Sequence, residues 1–233
     1  MLSILDEIQQ VGQGDDDTLR GVIRLTAPAP FGRKHVAPAI AEFSRQHPQV
    51  GFDLRLTDRM VDLYDDGFDL AIRLGEPTDS RLLSTPLALN RRMLVASPGY
   101  VAAHGTPHRP EDLSRHQALL PAGPDGTQNT WTMRQGRRER TVEINGALGS
   151  DSGEILHAWC LAGLGISLRE TWDIHDALRS GRLVPVLPDW MVPVTHISAV
   201  RARRDPVPRR LDTFIEFLAR RWRDAPWNTD AAR

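Results

Sequence analysis

The stretch Gly149-Ser150-Asp151-Ser152-Gly153-Glu154 stands between an extended segment and the apolar run EILHAWCLAGLGISL. A nucleophile elbow, the strand-turn-helix device that exposes a catalytic serine, reads G-x-S-x-G. Gly149 and Gly153 fit that spacing, but the central residue is Asp151, so the attacking group is missing. Asp151 followed by Glu154 reads instead as a helix N-cap with an acidic residue three positions on. Free N–H groups at such a helix start can hold a ligand's oxygens. The stretch therefore points to binding or to plain capping, and not to catalysis.

Other reactive residue types fall in places that use them differently. His104 and His108 are four apart, but Gly105 and Pro107 lie between them, so they share no helical face for a metal. Cys160, the single cysteine, lies inside the apolar run, where a thiol is a small buried hydrophobe. Gly163-Leu164-Gly165 closes a helix and opens a strand; it is no dinucleotide motif. Asp15–Asp17 and Asp65/Asp66 read as solvated turns. No metal, no cofactor and no enzymatic activity are expected.

The elements that would carry these residues alternate. GVIRLTA (21–27) reads as a strand, and Val36, Ile40 and Phe43 as one face of a helix that ends before Pro48. FDLRLT (52–57) alternates like a strand, RMVDLYDDG is a short helix with Gly67 as its stop, and FDLAIRLG (68–75) is a buried strand. Such β-α-β-α-β order argues for an α/β sheet. RRMLVASP, LGISLR, LVPVLPDW and THISAVRA read as further strands. PGYVAAHG, a short stretch in HRPEDLSRHQALL, WDIHDALRSG and RRLDTFIEFLARRW (209–222) read as helices. Residues 121–140 read as loop and hairpin. The two βα-rich halves break near residue 90. Residues 2–11 carry a short helical stripe, Leu2, Leu5, Ile8 and Val11, which makes most sense as the stump of a longer helix.

Composition bounds the partners. The 233 residues carry a net charge of −1, against the strong basic excess of a chain that grips nucleic acid. The arginine-rich pieces RRMLV, GRRERT, RARRDPVPRR and ARRWR read as solvated faces or ion pairs. One cysteine excludes an internal disulfide, the N-terminus has no signal-peptide pattern, and no run of about 18 apolar residues occurs. The expectation is a cytoplasmic protein with no membrane contact. Open α/β sheets bind ligands at the carboxyl ends of their strands. Three polar turns fit that role: Thr26-Ala27-Pro28, Thr57-Asp58 and Ser150-Asp151-Ser152. Ordinary turn and cap chemistry uses the same residues, so chemistry alone leaves both readings open.

The run RGVIRLTAPAPFGRKHVAPAIAEFSRQHPQVGFDLRLTDRMVDLYDDGFDLAIRLGEPTDSRLLSTPLA resembles the start of the effector-binding domain of LysR-type transcriptional regulators. The likeness continues through LVASPGYVAAHGTPHRPEDLSRH, LAGLGISLRETWDIHDALRSGRLVPVLPDW and LDTFIEFLARRW, about residues 18 to 223. It implies a two-lobed α/β fold of the type 2 periplasmic-binding-protein kind with two crossover strands. Lobe I would span 18–91 with 196–223, and lobe II 92–195. Residues 1–17 would be a remnant of the linker helix and linker, and 224–233 a C-terminal tail. An effector in the inter-lobe cleft would meet Thr26, Ala27, Pro28 and Phe31, then Thr57, then Ser150, Asp151 and Ser152. Arg73, Gly75 and His196 lie beside the crossovers. The resemblance implies a small-molecule effector, such as a carboxylate, and a homodimer or higher homo-oligomer. It departs from the family in showing no helix-turn-helix, so DNA contact would run through a part absent from this chain. The alternatives are a free-standing solute-binding protein of the same fold, which needs export, and an enzyme like hydroxymethylbilane synthase, which needs a cofactor-bearing cysteine in a lobe loop.

Overall fold

The computed structural model describes residues 19–57, 62–75, 79–123, 126–127, 129–203 and 206–229. The helix expected over 2–11, the linker at 1–17 and Asp58 lie outside them.

Strand β1 (Gly21–Ala27) is followed by a helical stretch that opens at Ala29–Phe31, passes through a π turn at Gly32–Val36 and continues as α1 (Ala37–Gln46). Strand β2 (Val50–Leu56) then pairs parallel with β1 over seven residues, from Gly21↔Val50 to Ala27↔Leu56. Parallel neighbours need a crossover element, and this helix supplies it. Val36 and Phe43 are buried as expected, but Ala39 is the fully buried residue between them and Ile40 is only partly covered. The π turn lies just ahead of α1, and a π turn interrupts the 3.6-residue repeat on which the Ile40 expectation rests.

Strands β3 (Leu70–Leu74) and β4 (Leu82–Asn90) complete the first half, and the sheet order is β2-β1-β3-β13-β4, with β13 at Thr195–Ala202. Within the segment expected as a helix before Gly67, residues 62–66 form turns, and the preceding four residues lie outside the description. The hydrophobic pattern hides β4, because Ser84, Thr85 and Pro86 interrupt LLSTPLALN. Proline has no N–H to give a ladder, and β4 is an edge strand, where that loss is tolerated. Pro86 lies opposite Ser198, next to a register shift.

The second sheet starts with β5 (Arg92–Ala96), followed by α2 (Pro98–His104) and a 3₁₀ turn at Pro110–Arg115. It continues with β6 (Gln117–Gly123), β7 (Gly126–Thr127), and the hairpin of β8 (Thr130–Gln135) and β9 (Arg138–Glu143). Strand β10 (Asn145–Ser150), helix α3 (Gly153–Leu161), β11 (Ile166–Glu170), α4 (Thr171–Arg179) and β12 (Val184–Val186) follow. The order is β10-β6-β11-β5-β12. One core joins Leu156, Cys160, Ile174 and Ala177 of the helices to Val95 and Leu119 of the sheet. Another joins Trp131, Met133 and Val142 of the hairpin to Leu94, Leu120 and Ile166. Gly165 enters β11 where a Cβ would come within 2.6 Å of the Gln117 carbonyl oxygen.

Two passages connect the sheets: Asn90-Arg91-Arg92 between β4 and β5, and the return segment after β12 into β13. The two-lobed α/β architecture with crossing strands is thus the one expected. Helix α5 (Arg209–Arg223) closes the chain against the first sheet, burying Leu211, Phe214, Ile215 and Leu218. The segment read as a tail also packs. Short helix α6 (Pro226–Thr229) follows, and Ala225 and Trp227 join the core of the first lobe.

Candidate ligand-binding site

Thr26, one residue before the end of β1, is wholly buried, and its hydroxyl has no hydrogen-bond partner. Thr57 donates its N–H to the Ala27 carbonyl at 3.0 Å, so the ends of β1 and β2 are held side by side. Pro28 caps the helical stretch without a side-chain hydrogen bond, and Ala27 is buried beneath it. Phe31 is core: it meets Trp172 and Trp222 edge-on, each with ring centroids 5.1 Å apart.

In the second lobe, the helix cap falls one residue later than expected. Ser152, and not Asp151, occupies the N-cap of α3, and no side chain caps it. The Ser150 hydroxyl accepts from the Ser152 N–H at 3.1 Å, and Asp151 is exposed. Glu154 is drawn elsewhere, since it forms a two-pronged ion pair with Arg33, with Nε–Oε1 at 3.1 Å and Nη2 against Oε2. That pair joins the π turn after β1 to the first turn of α3, across the two lobes. Both side chains are about half exposed, so it contributes no more than about 1 kcal/mol. Gly75 and His196 sit together at the crossover, with the Gly75 N–H donating to the His196 carbonyl at 2.7 Å and a φ of 116° that favours glycine. Arg73 lies opposite Ser198 on the neighbouring strand.

Several contributors were not foreseen. Arg169 is buried behind α3, 3.1 Å from where a Gly153 Cβ would lie, and binds Asp173 through Nη2 at 2.7 Å. His157 Nδ1 lies 2.9 Å from the same Asp173 oxygen. Burial pushes the Asp173 carboxyl up, but the hydrogen bond with His157 and the charge of Arg169 outweigh it and hold it below the usual carboxylate range. Neither contact was readable from spacing: Arg169 lies on β11 and Asp173 on α4, so no helical i, i+4 rule joins them, and the His157 contact is set by how α3 packs on α4. Across the lobes, Lys34 donates to the Asp173 carbonyl at 2.7 Å and His35 Nε2 lies 3.2 Å from that of Trp172. Trp172 itself enters the core of the first lobe, and its Nε1–H donates to Asn90 at 3.1 Å. Among the described residues no group of three or more His, Cys, Asp or Glu is placed to hold a metal.

The LysR substrate binding domain family matches residues 16–223. This chain belongs to that family. It is 36% identical over 218 residues to the HTH-type transcriptional regulator DmlR of Escherichia coli K12, covering 94% of this chain and 68% of that protein. The transcriptional activator TtdR of the same strain is also 36% identical over 218 residues, with coverage of 93% and 68%. The regulatory domain of CrgA from Neisseria meningitidis superposes with a TM-score of 0.77 at 30% identity, covering 87% of this chain and 98% of that one. Full-length AphB, a Vibrio cholerae virulence activator, gives 0.77 at 26% identity, covering 93% and 74%. The chain is thus the effector-binding domain of a LysR-family transcriptional regulator. No helix among the described residues is long and apolar enough to cross a membrane.

Proposed function

We propose that this LysR-type domain senses a small polar molecule held between Thr26 and Thr57 of one lobe and Ser150 and Ser152 of the other. The observation that carries the reading is the pair of unused polar groups at the two strand ends. The Thr26 hydroxyl is buried without a partner, and α3 starts at Ser152 with no side-chain cap. A buried hydroxyl without a partner is costly, and a ligand's oxygens would relieve it while meeting the uncapped start of α3. A helix N-terminus favours negative charge by about 0.3–1 kcal/mol, which supports a carboxylate. Arg33 stands beside the same helix start and would add to this once released from Glu154. Ala27, Pro28, Asp151, Arg73, Gly75 and His196 surround these contacts in the proposal. Phe31 supports them from the core. DNA recognition would belong to a helix-turn-helix outside this chain.

The test is a thermal-shift screen of small mono- and dicarboxylates. One compound should raise the melting temperature in a saturable, concentration-dependent way, and Ser150→Ala should reduce its affinity about two- to tenfold, the worth of one hydrogen bond. A compound that stabilises wild type and Ser150→Ala with equal affinity would remove Ser150 from the site.

A further inference from the structure

A separate cavity of about 50 Å³ lies at the hinge, where the chain passes between the lobes. Arg91 and Arg92 line it from the outgoing crossing, Leu94 from β5, Thr171 from the first turn of α4, Val186 from β12 and Val192 from the return segment. A buried water needs roughly 10–15 Å³ of such space, so the cavity has room for a ligand of a few heavy atoms.

Its polar groups are uncompensated. The Nε atoms of Arg91 and Arg92 are buried and have no hydrogen-bond partner. Thr171 is 3% exposed, and its hydroxyl is also unpartnered, although its N–H donates to the Arg91 carbonyl at 2.9 Å. Glu170 is paired with Arg92 across the β11/β5 ladder, but its carboxylate is 3.8 Å from Arg169. Among the described residues lining the cavity there is no Asp or Glu. Two partly buried arginines, each with its Nε withdrawn from water and unpartnered, and a buried hydroxyl are the donor set of an anion site. The remaining wall is apolar and held in place. Leu187 adopts a φ of 51°, in the left-handed region that a leucine rarely enters, and Met191 exchanges backbone hydrogen bonds with Arg134 at 2.7 and 2.8 Å. Backbone held in such a conformation is found at ligand sites.

We propose that this hinge cavity is a second ligand site, taking a short-chain monocarboxylate whose carboxylate meets Arg91, Arg92 and Thr171 and whose alkyl chain lies against Leu94, Val186 and Val192. The ligand would touch both crossings at once. Any difference in its affinity for two lobe arrangements would then shift the hinge.

The probe is propionate, titrated by calorimetry into the 233-residue chain, with inorganic phosphate in parallel. Wild type should show saturable binding of one propionate per chain. Arg92→Met should lose about tenfold or more in affinity, as expected for a hydrogen bond to a charged group. Thr171→Val should lose about two- to tenfold, and the exposed Arg138→Ala should bind as wild type does. Propionate should bind more tightly than phosphate, because only propionate uses the apolar wall. If Arg92→Met fails to fold by circular dichroism, Thr171→Val decides. Absence of saturable binding in wild type, tighter binding of phosphate, or unchanged affinity in the folded variants would overturn the proposal.

Discussion

Cys160 and His35 are both buried, and burial acts on them in opposite directions. Cys160 lies within α3 with its thiol 3.5 Å from the Val95 carbonyl, and burial pushes it up to about 12. Its thiolate fraction near neutral pH is then roughly a thousandfold below that of an unperturbed thiol. The native chain should resist maleimide labelling and react promptly in denaturant. Prompt labelling of native protein would show that α3 opens. Burial lowers the His35 imidazole to about 4 against the opposing contact with the Trp172 carbonyl, with Lys34 adding to the shift and Asp173 and Asp176 opposing it. The neutral ring is favoured in the fold, so between about pH 4 and 6.5 the unfolded chain binds more protons. His35 imposes no penalty above pH 6.5, and stability is lost as pH falls toward 4. Urea unfolding should show a larger loss from pH 7 to pH 5 in wild type than in His35→Gln. Equal losses would mean that His35 does not titrate between the folded and unfolded states in this range.

At the scale of elements, strands depend on glycines where backbones meet. Gly165→Ala would drive a Cβ against the Gln117 carbonyl at the start of the β11/β6 pairing. Overpacking of this kind costs roughly 1–3 kcal/mol, readable as a lower urea midpoint; an unchanged midpoint would mean that β6 yields freely. The strands that carry an apolar run, β1, β3, β5, β11 and β13, were legible from period and composition, as was the amphipathic face of α5. Strand β4 was not, because Pro86 and its hydroxyl neighbours break the pattern that an edge strand does not need. The buried face of α1 was read one residue away from Ala39, since a π turn leaves no mark on a 3.6-residue repeat. The turn at Ser150–Ser152 was legible as a helix start, but the cap moved from Asp151 to Ser152. Glu154, expected three positions after the cap, pairs instead with Arg33, more than a hundred residues earlier in the chain.

At the scale of the whole molecule, the lobes are joined by more than their crossings. Trp172, from the second lobe, is a core residue of the first, and Arg33, Lys34 and His35 each reach across to the second. None of these contacts could be read from local pattern, because each pairs residues distant in sequence. An effector held from both sides would add its own bonds to this set, and the separate lobes then make an additive prediction. Thr26 and Ser150 lie on different lobes and would meet the ligand from opposite sides, so their contributions to its binding should sum. The deciding measurement is a calorimetric titration of the carboxylate found by thermal shift into wild type, Thr26→Val, Ser150→Ala and the double variant. Each single change should weaken binding by about two- to tenfold, and the double change by roughly the product of the two factors. If both single variants bind as tightly as wild type and as the exposed control Arg138→Ala, the effector does not sit between these lobes, and the turn at Ser150–Ser152 is only the start of a helix.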